Sequence, residues 1–96
     1  MARQRRDEAL SLGLVNRVVA DEDHATVTME LARSLADGPS IALSLMKRNL
    51  NCAESSGLAG LLDMEAAHQV QTGRTEDHRE AVKAFVEKRA PIFTGR

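Results

Sequence analysis

Three histidines, one cysteine and a set of carboxylates are the residues of this 96-residue chain that could do chemistry. His24, His68 and His78 lie far apart, and none has a second histidine or cysteine three or four residues away, as a helical zinc site requires. Cys52 has no sequence signature of a nucleophile with an adjacent base and an oriented third group. The sequence therefore predicts no metal site and no catalytic nucleophile.

The carboxylates and glycines give an equally sparse picture. Glu65 and Glu80 could form an acid–base pair across two helices, but acidic residues on surface helices are ordinarily solvated. No glycine-rich phosphate loop of the GxGxxG or GxxxxGK[ST] type is present. We therefore assign no catalytic residue and expect no self-contained active site, and the residues alone leave open whether the chain is part of an enzyme.

Composition and charge exclude several classes of protein. With 43% hydrophobic but only 2% aromatic residues, a core must be built from Leu, Val, Ala and Met, which suits helices. A net charge of −1 argues against a nucleic-acid-binding domain, and no apolar run approaches the roughly 20 residues of a membrane span. The single Cys52 indicates a reducing compartment. We expect a cytoplasmic protein that binds neither nucleic acid nor membrane.

The stretch EAVKAFVEKRAPIF, Glu80 to Phe93, contains both aromatic residues of the chain. Its apolar positions recur at helical spacing, which predicts a helix that is ended by Pro91. A phenylalanine in that stripe, Phe85, either packs in a core or interface or contacts a ligand. Lys88 and Arg89 are favoured near the helix C-terminus by the backbone dipole and are also free to meet an anion.

These positions must be held by elements that are almost all helical. The sequence predicts an all-α fold, a small bundle of four or five helices with one short N-terminal strand, in a single domain over residues 1–96. The first predicted elements are a helix that ends near Leu12, followed by a left-handed Gly13, and a strand over Val15–Val19. Four further helices are predicted: over His24–Ala36, starting at about Pro39, over Leu58–Gln71, and starting after a Thr75 cap. Because no second segment alternates with period two, the strand would belong to a larger sheet.

Three phrases, taken together, resemble a known family. DEALSLGLVNRVV, GPSIALSLMKRNLN and TEDHREAVKAFVEKRAPIFTGR are similar, in this order and spacing, to the C-terminal third of the crotonase superfamily, the enoyl-CoA hydratases and isomerases. The resemblance extends from about Arg5 to Arg96, and the terminal phrase is its most specific part. In this family a spiral core supplies the oxyanion hole and the catalytic carboxylates, and that core would precede Met1.

The resemblance implies a function and two site residues. The chain would be the C-terminal oligomerisation and CoA-capping segment of an enoyl-CoA hydratase/isomerase-like protein, inactive alone, and a homo-oligomer. It would bind acyl-CoA only with the complete protein, with the coenzyme A thioester as substrate and no separate cofactor. Phe85 matches the aromatic residue near the CoA adenine, and Lys88 matches the cation near its phosphates.

Two alternatives stay open at this point. Phe85 could instead be a core or interface residue that touches no nucleotide. The whole chain could be a free-standing helical protein-interaction module derived from the family, in which case the faces that met the core should have become polar. Leu14, Val15, Val18 and Val19 are still apolar, which favours the segment of an acyl-CoA protein.

Overall fold

The computed structural model describes residues 2–96, and these are all-α, as predicted, with five α-helices. Their bounds are α1 Ala2–Ser11, α2 His24–Ala36, α3 Ser40–Ala53, α4 Leu58–Gly73 and α5 Glu76–Val86, and a 3-10 turn, Asp21–Asp23, leads into α2. The contacts group into two compact units, Met1–Ala32 and Arg33–Arg96. The expectation of one domain over residues 1–96 stays a prediction.

The predicted N-terminal strand is wrong. Residues 14–20 are irregular, and no strand occurs anywhere in residues 2–96. Val15, Val18 and Val19 have β-branched side chains suited to a strand, but the described residues offer no second strand to accept the backbone hydrogen bonds of this segment. Val18 and Val19 are half-buried, whereas Leu14 is 74% exposed.

A glycine ends α1, as predicted. Gly13 is left-handed with φ 74°, its N–H donates to the Leu10 carbonyl at 3.1 Å, and the Leu14 N–H donates to the Ala9 carbonyl at 2.9 Å. This pair of hydrogen bonds around a left-handed residue is the Schellman motif, which satisfies carbonyls that have no partner inside the helix. The motif turns the chain away from the helix axis at the start of residues 14–20.

In the second unit, α3 packs on α4 and α4 packs on α5. Only two apolar side chains among the described residues are buried, Leu45 on α3 and Ala84 on α5. The predicted Thr75 cap is confirmed, since its hydroxyl accepts from the His78 N–H at 3.0 Å at the start of α5. The helices are thus well terminated but bury little apolar surface within the chain.

The C-terminal tail folds back along α5 and is held by a buried carboxylate. Asp77, in the first turn of α5, is 3% exposed and accepts from the N–H groups of Thr94 at 2.7 Å and Gly95 at 2.9 Å. The Asp77 N–H donates in return to the Arg96 carbonyl at 2.8 Å. Charge-assisted hydrogen bonds of this kind are about twice as strong as neutral ones, so the tail is fixed relative to the helix that carries Phe85.

Candidate functional site

The end of α5 differs from the sequence prediction. The helix ends at Val86 and not at Pro91, because Lys88 adopts a left-handed conformation with φ 54°. The Lys88 N–H donates to the Phe85 carbonyl at 3.2 Å and the Arg89 N–H donates to the Ala84 carbonyl at 3.0 Å. This is a second Schellman motif, with lysine at the position where glycine is usual. Lys88 therefore lies just beyond the helix that carries Phe85.

Phe85 lies on an exposed apolar face of α5. Its side chain is 84% exposed, and its neighbours Val82 and Val86 are 52% and 73% exposed. The alternative that Phe85 packs in the core of this chain is therefore wrong. A contact with a ligand and a contact with another protein surface both remain compatible with a ring that is presented to the outside.

Arg89 is paired with two carboxylates beside Lys88. Its guanidinium binds Glu80 through Nη1 to Oε1 at 2.5 Å and Nη2 to Oε2 at 3.3 Å, and its Nε binds Glu87 Oε2 at 2.6 Å. The same Glu80 Oε1 accepts from the Ile92 N–H at 3.1 Å. Arg89 is thus a cation that is paired with two carboxylates of its own chain.

These contacts define what Glu80 can do chemically. The hydrogen bonds from Arg89, followed by the one from the Ile92 N–H, lower the pKa of the Glu80 carboxyl to about 2, and they raise the pKa of Arg89 further above its ordinary value. A carboxylate that is ionised at every physiological pH holds no proton to donate and accepts one poorly. Glu80 is therefore a structural anion, and it is not half of an acid–base pair with Glu65.

Glu65 lies elsewhere, in an open cleft between α3 and α4 that also contains Asn49 and His68. His68 is half-buried, and its Nδ1 lies 2.5 Å from Asn49 Oδ1. This hydrogen bond joins the two helices and requires the protonated Nδ1, because the amide oxygen can only accept. The sequence does not show this contact, because the two residues are 19 positions apart on different helices. The contact is a structural link between α3 and α4.

The described residues contain no group of three or more His, Cys, Asp or Glu side chains that could hold a metal ion. Within the same residues, no helix has both the length and the apolar composition needed to cross a membrane.

Sequence reasoning missed the ion pairs of Arg89 and the hydrogen bonds between Asp77 and the C-terminal tail. A carboxylate at position 80 and an arginine at position 89 lie on the same side only because the chain reverses at Lys88, and a lysine gives no signal of a left-handed turn. The signal that was available for Asp77 is its place two residues after the Thr75 cap, where an acidic residue also suits the helix dipole. That position explains an acidic residue but does not predict its contacts with the tail.

Comparisons with known proteins agree on one family. The family model described as enoyl-CoA hydratase/isomerase matches residues 2–96. The chain is 42% identical over 90 residues to the 1,2-epoxyphenylacetyl-CoA isomerase of Escherichia coli K12, covering 94% of this chain and 34% of that protein. It is 40% identical over 90 residues to a Rhodobacter capsulatus protein named probable enoyl-CoA hydratase, covering 94% of this chain and 35% of that protein.

A solved structure has a similar fold over the matched residues. The enoyl-CoA hydratase of Bacillus anthracis superimposes with a TM-score of 0.86 at 31% identity, covering 94% of this chain and 35% of that chain. The chain spans about a third of the length of the curated relatives it matches. Because the family model matches nearly every residue, the chain belongs to the enoyl-CoA hydratase/isomerase family of the crotonase superfamily.

Proposed function

We propose that this chain is the oligomerisation and CoA-capping segment of an enoyl-CoA hydratase/isomerase-like protein that acts on acyl-CoA thioesters, and that it is inactive alone. The observation that carries the proposal is the apolar face of α5, where Phe85 is 84% exposed. A soluble protein rarely leaves a contiguous face of Val82, Phe85 and Val86 in water, so this face is expected to be covered by another protein surface or by a ligand.

The coenzyme A part of the proposal rests on Phe85 and Lys88. An exposed aromatic ring can stack on a purine, and an ammonium group can neutralise phosphate charge. Both residues are exposed and close in sequence at the end of α5, and among residues 2–96 no ion pair involves Lys88. The relatives named above share coenzyme A in their names, as an isomerase and a hydratase, and that shared thioester is the substrate class we propose.

A free-standing interaction module is the less favoured proposal. Such a module should have exchanged apolar residues for polar ones on the faces that no longer meet a catalytic core. Instead Leu14 is 74% exposed and Val15 is 42% exposed, and the described residues include further large apolar side chains that are open to solvent, among them Leu50, Leu58 and Ile92. These faces support a chain that fits against more protein.

Self-association tests the first part of the proposal. We expect light scattering over a range of concentrations to give a closed homo-oligomer, and Phe85→Asp to weaken it. Burial of a phenylalanine contributes about 1.5–3 kcal/mol, so the association constant should fall roughly 10- to 150-fold for each buried ring. Ser55→Asp, which adds the same charge at an exposed turn, is the control. A monomeric mass at all concentrations, unchanged in Phe85→Asp, would refute oligomerisation through α5.

Activity tests the second part. We expect the purified chain to turn over no enoyl-CoA above background, because the described residues have no assigned acid–base pair and no nucleophile with a base. We also expect it to bind coenzyme A weakly at best, since one ring and one ammonium offset little of the cost of ordering a flexible ligand. Turnover that survives repurification and is lost in a point variant of this chain would contradict the proposal, as would tight calorimetric binding that Phe85→Ala abolishes.

A further inference from the structure

The two Schellman motifs of the chain use different residues at the same position. At the end of α1 the left-handed residue is Gly13, with φ 74°, and at the end of α5 it is Lys88, with φ 54°. Glycine adopts this conformation without steric cost, whereas a lysine Cβ approaches the following carbonyl oxygen. A non-glycine residue keeps such a conformation only where its surroundings hold it. The contacts around Lys88 should therefore explain its left-handed conformation.

The contacts around Lys88 join Glu80, which precedes it, to Arg89 and Ile92, which follow it. Arg89 follows it directly and is bound by the Glu80 carboxylate at 2.5 and 3.3 Å, and Ile92, four residues beyond, donates its N–H to Glu80 at 3.1 Å. Glu80 itself lies on α5, whose end is closed by the Lys88 N–H. The reversal at Lys88 is therefore closed by one carboxylate that holds the chain on the far side of the turn.

Building on the proposed coenzyme A contact, we propose that Glu80, acting through Arg89, is a positioning residue for Lys88. The ion pair holds the left-handed backbone from which the ammonium group projects, so that the cation is ordered before an anion arrives. Ordering a long side chain on binding costs about 0.5–1.5 kcal/mol, and prior ordering of its backbone avoids part of that cost. Loss of the ion pair should weaken binding of a phosphate-bearing ligand without removing its charge dependence.

An NMR titration of the full chain with coenzyme A tests this positioning role, because it measures weak binding. Lys88→Gln removes the ammonium, and Glu80→Gln removes the ion pair but keeps an oxygen that can accept from the Ile92 N–H. Glu76→Gln removes the same charge from an exposed residue in the first turn of the same helix and is the charge-matched control. We expect Glu80→Gln to raise the dissociation constant by more than twofold and by at most about 12-fold, the value for the whole ordering cost, while Glu76→Gln leaves it within twofold.

Salt dependence separates positioning from a general loss of structure. The affinity of Glu80→Gln should still fall with ionic strength, since its ammonium group remains, and the affinity of Lys88→Gln should depend less on salt. If Glu80→Gln lowers the helical circular dichroism, Glu87→Gln takes its place. This variant removes only the charge from the contact with Arg89 Nε, which is 2.6 Å long, and should weaken binding less.

The outcomes distinguish this inference from the function on which it rests. If Lys88→Gln weakens binding while Glu80→Gln and Glu87→Gln match Glu76→Gln, the positioning role is refuted and the coenzyme A contact stands. If Lys88→Gln and Phe85→Ala both bind like the unmodified chain, the coenzyme A contact is refuted, and the inference with it. A weakened Glu80→Gln variant that keeps its salt dependence supports both.

Discussion

Replacing Lys88 with glycine should stabilise the protein, although it removes a charged side chain and puts the most flexible residue in its place. Lys88 has φ 54°, and a left-handed conformation costs an L-residue about 1–2 kcal/mol relative to the right-handed one. Glycine avoids that cost but loses about 0.4–1 kcal/mol more through the entropy of the unfolded chain. The net expectation is an increase of about 0.5–1 kcal/mol in the free energy of unfolding, or roughly 2–8 °C in Tm.

The assay is urea unfolding followed by circular dichroism, at one fixed protein concentration because association would also shift the midpoint. The matched control is Lys83→Gly, the same substitution five residues earlier and inside α5, where glycine should destabilise by about 0.7 kcal/mol. Gly13→Ala should destabilise too, and only through its backbone, since an added Cβ at Gly13 meets no atom within 4 Å.

Opposite signs for the two lysines are the critical result. If Lys88→Gly destabilises the protein as much as Lys83→Gly does, then Lys88 contributes a favourable contact that exceeds its conformational cost, and the comparison of the two helix ends is wrong. If Lys88→Gly is more stable but binds coenzyme A more weakly, the natural lysine lowers the stability of the protein and in return supplies a cation for binding.

Two further predictions concern the tail. Asp77→Ala should lower the free energy of unfolding by about 2–3 kcal/mol, because the N–H groups of Thr94 and Gly95 lose a charged acceptor. Replacement of the exposed Asp63 on α4, Asp63→Ala, should stay within about 0.5 kcal/mol in the same urea assay. The depressed pKa of Glu80 means that its contribution to stability is complete above its ordinary value of 4.5 and is lost as pH falls toward 2. Carbon-13 NMR should therefore give a carboxyl titration midpoint near 2, and a midpoint near 4.5 would show that the contact with Arg89 does not form in solution.

The helices could be predicted because their signals are local. The sequence predicted His24–Ala36 with its observed bounds, and it placed the start of α4 at Leu58 and the left-handed residue at Gly13. Glycine at the end of an apolar periodic segment, and threonine before an acidic turn, specify helix ends through hydrogen bonds between residues a few positions apart. Such contacts form without reference to the rest of the fold.

The strand and the end of α5 could not be predicted, for two different reasons. Val15–Val19 has the side chains of a strand, but pairing depends on a second strand that the pattern of these five residues does not specify. Lys88 forms a left-handed turn against its own conformational preference, because Glu80 and Arg89 hold the chain on either side of it. The first outcome depends on a partner strand and the second on an ion pair between residues nine positions apart, and local propensity specifies neither.

The buried polar groups of this chain find hydrogen-bond partners, whereas most of its large apolar side chains are not buried. Among the described residues, no buried side-chain nitrogen or oxygen lacks a hydrogen-bond partner, yet only Leu45 and Ala84 are buried apolar side chains. Hydrogen bonds at caps and in the tail join neighbouring elements, so one chain can satisfy them, whereas burial of an apolar face needs a second surface of matching size. The contacts of Asp77 and Glu80 hold the tail and Lys88 in place without that surface, while the apolar face of Val82, Phe85 and Val86 is left exposed. Association through α5 is therefore the step at which we expect the fold to become stable and the proposed coenzyme A contact to become useful.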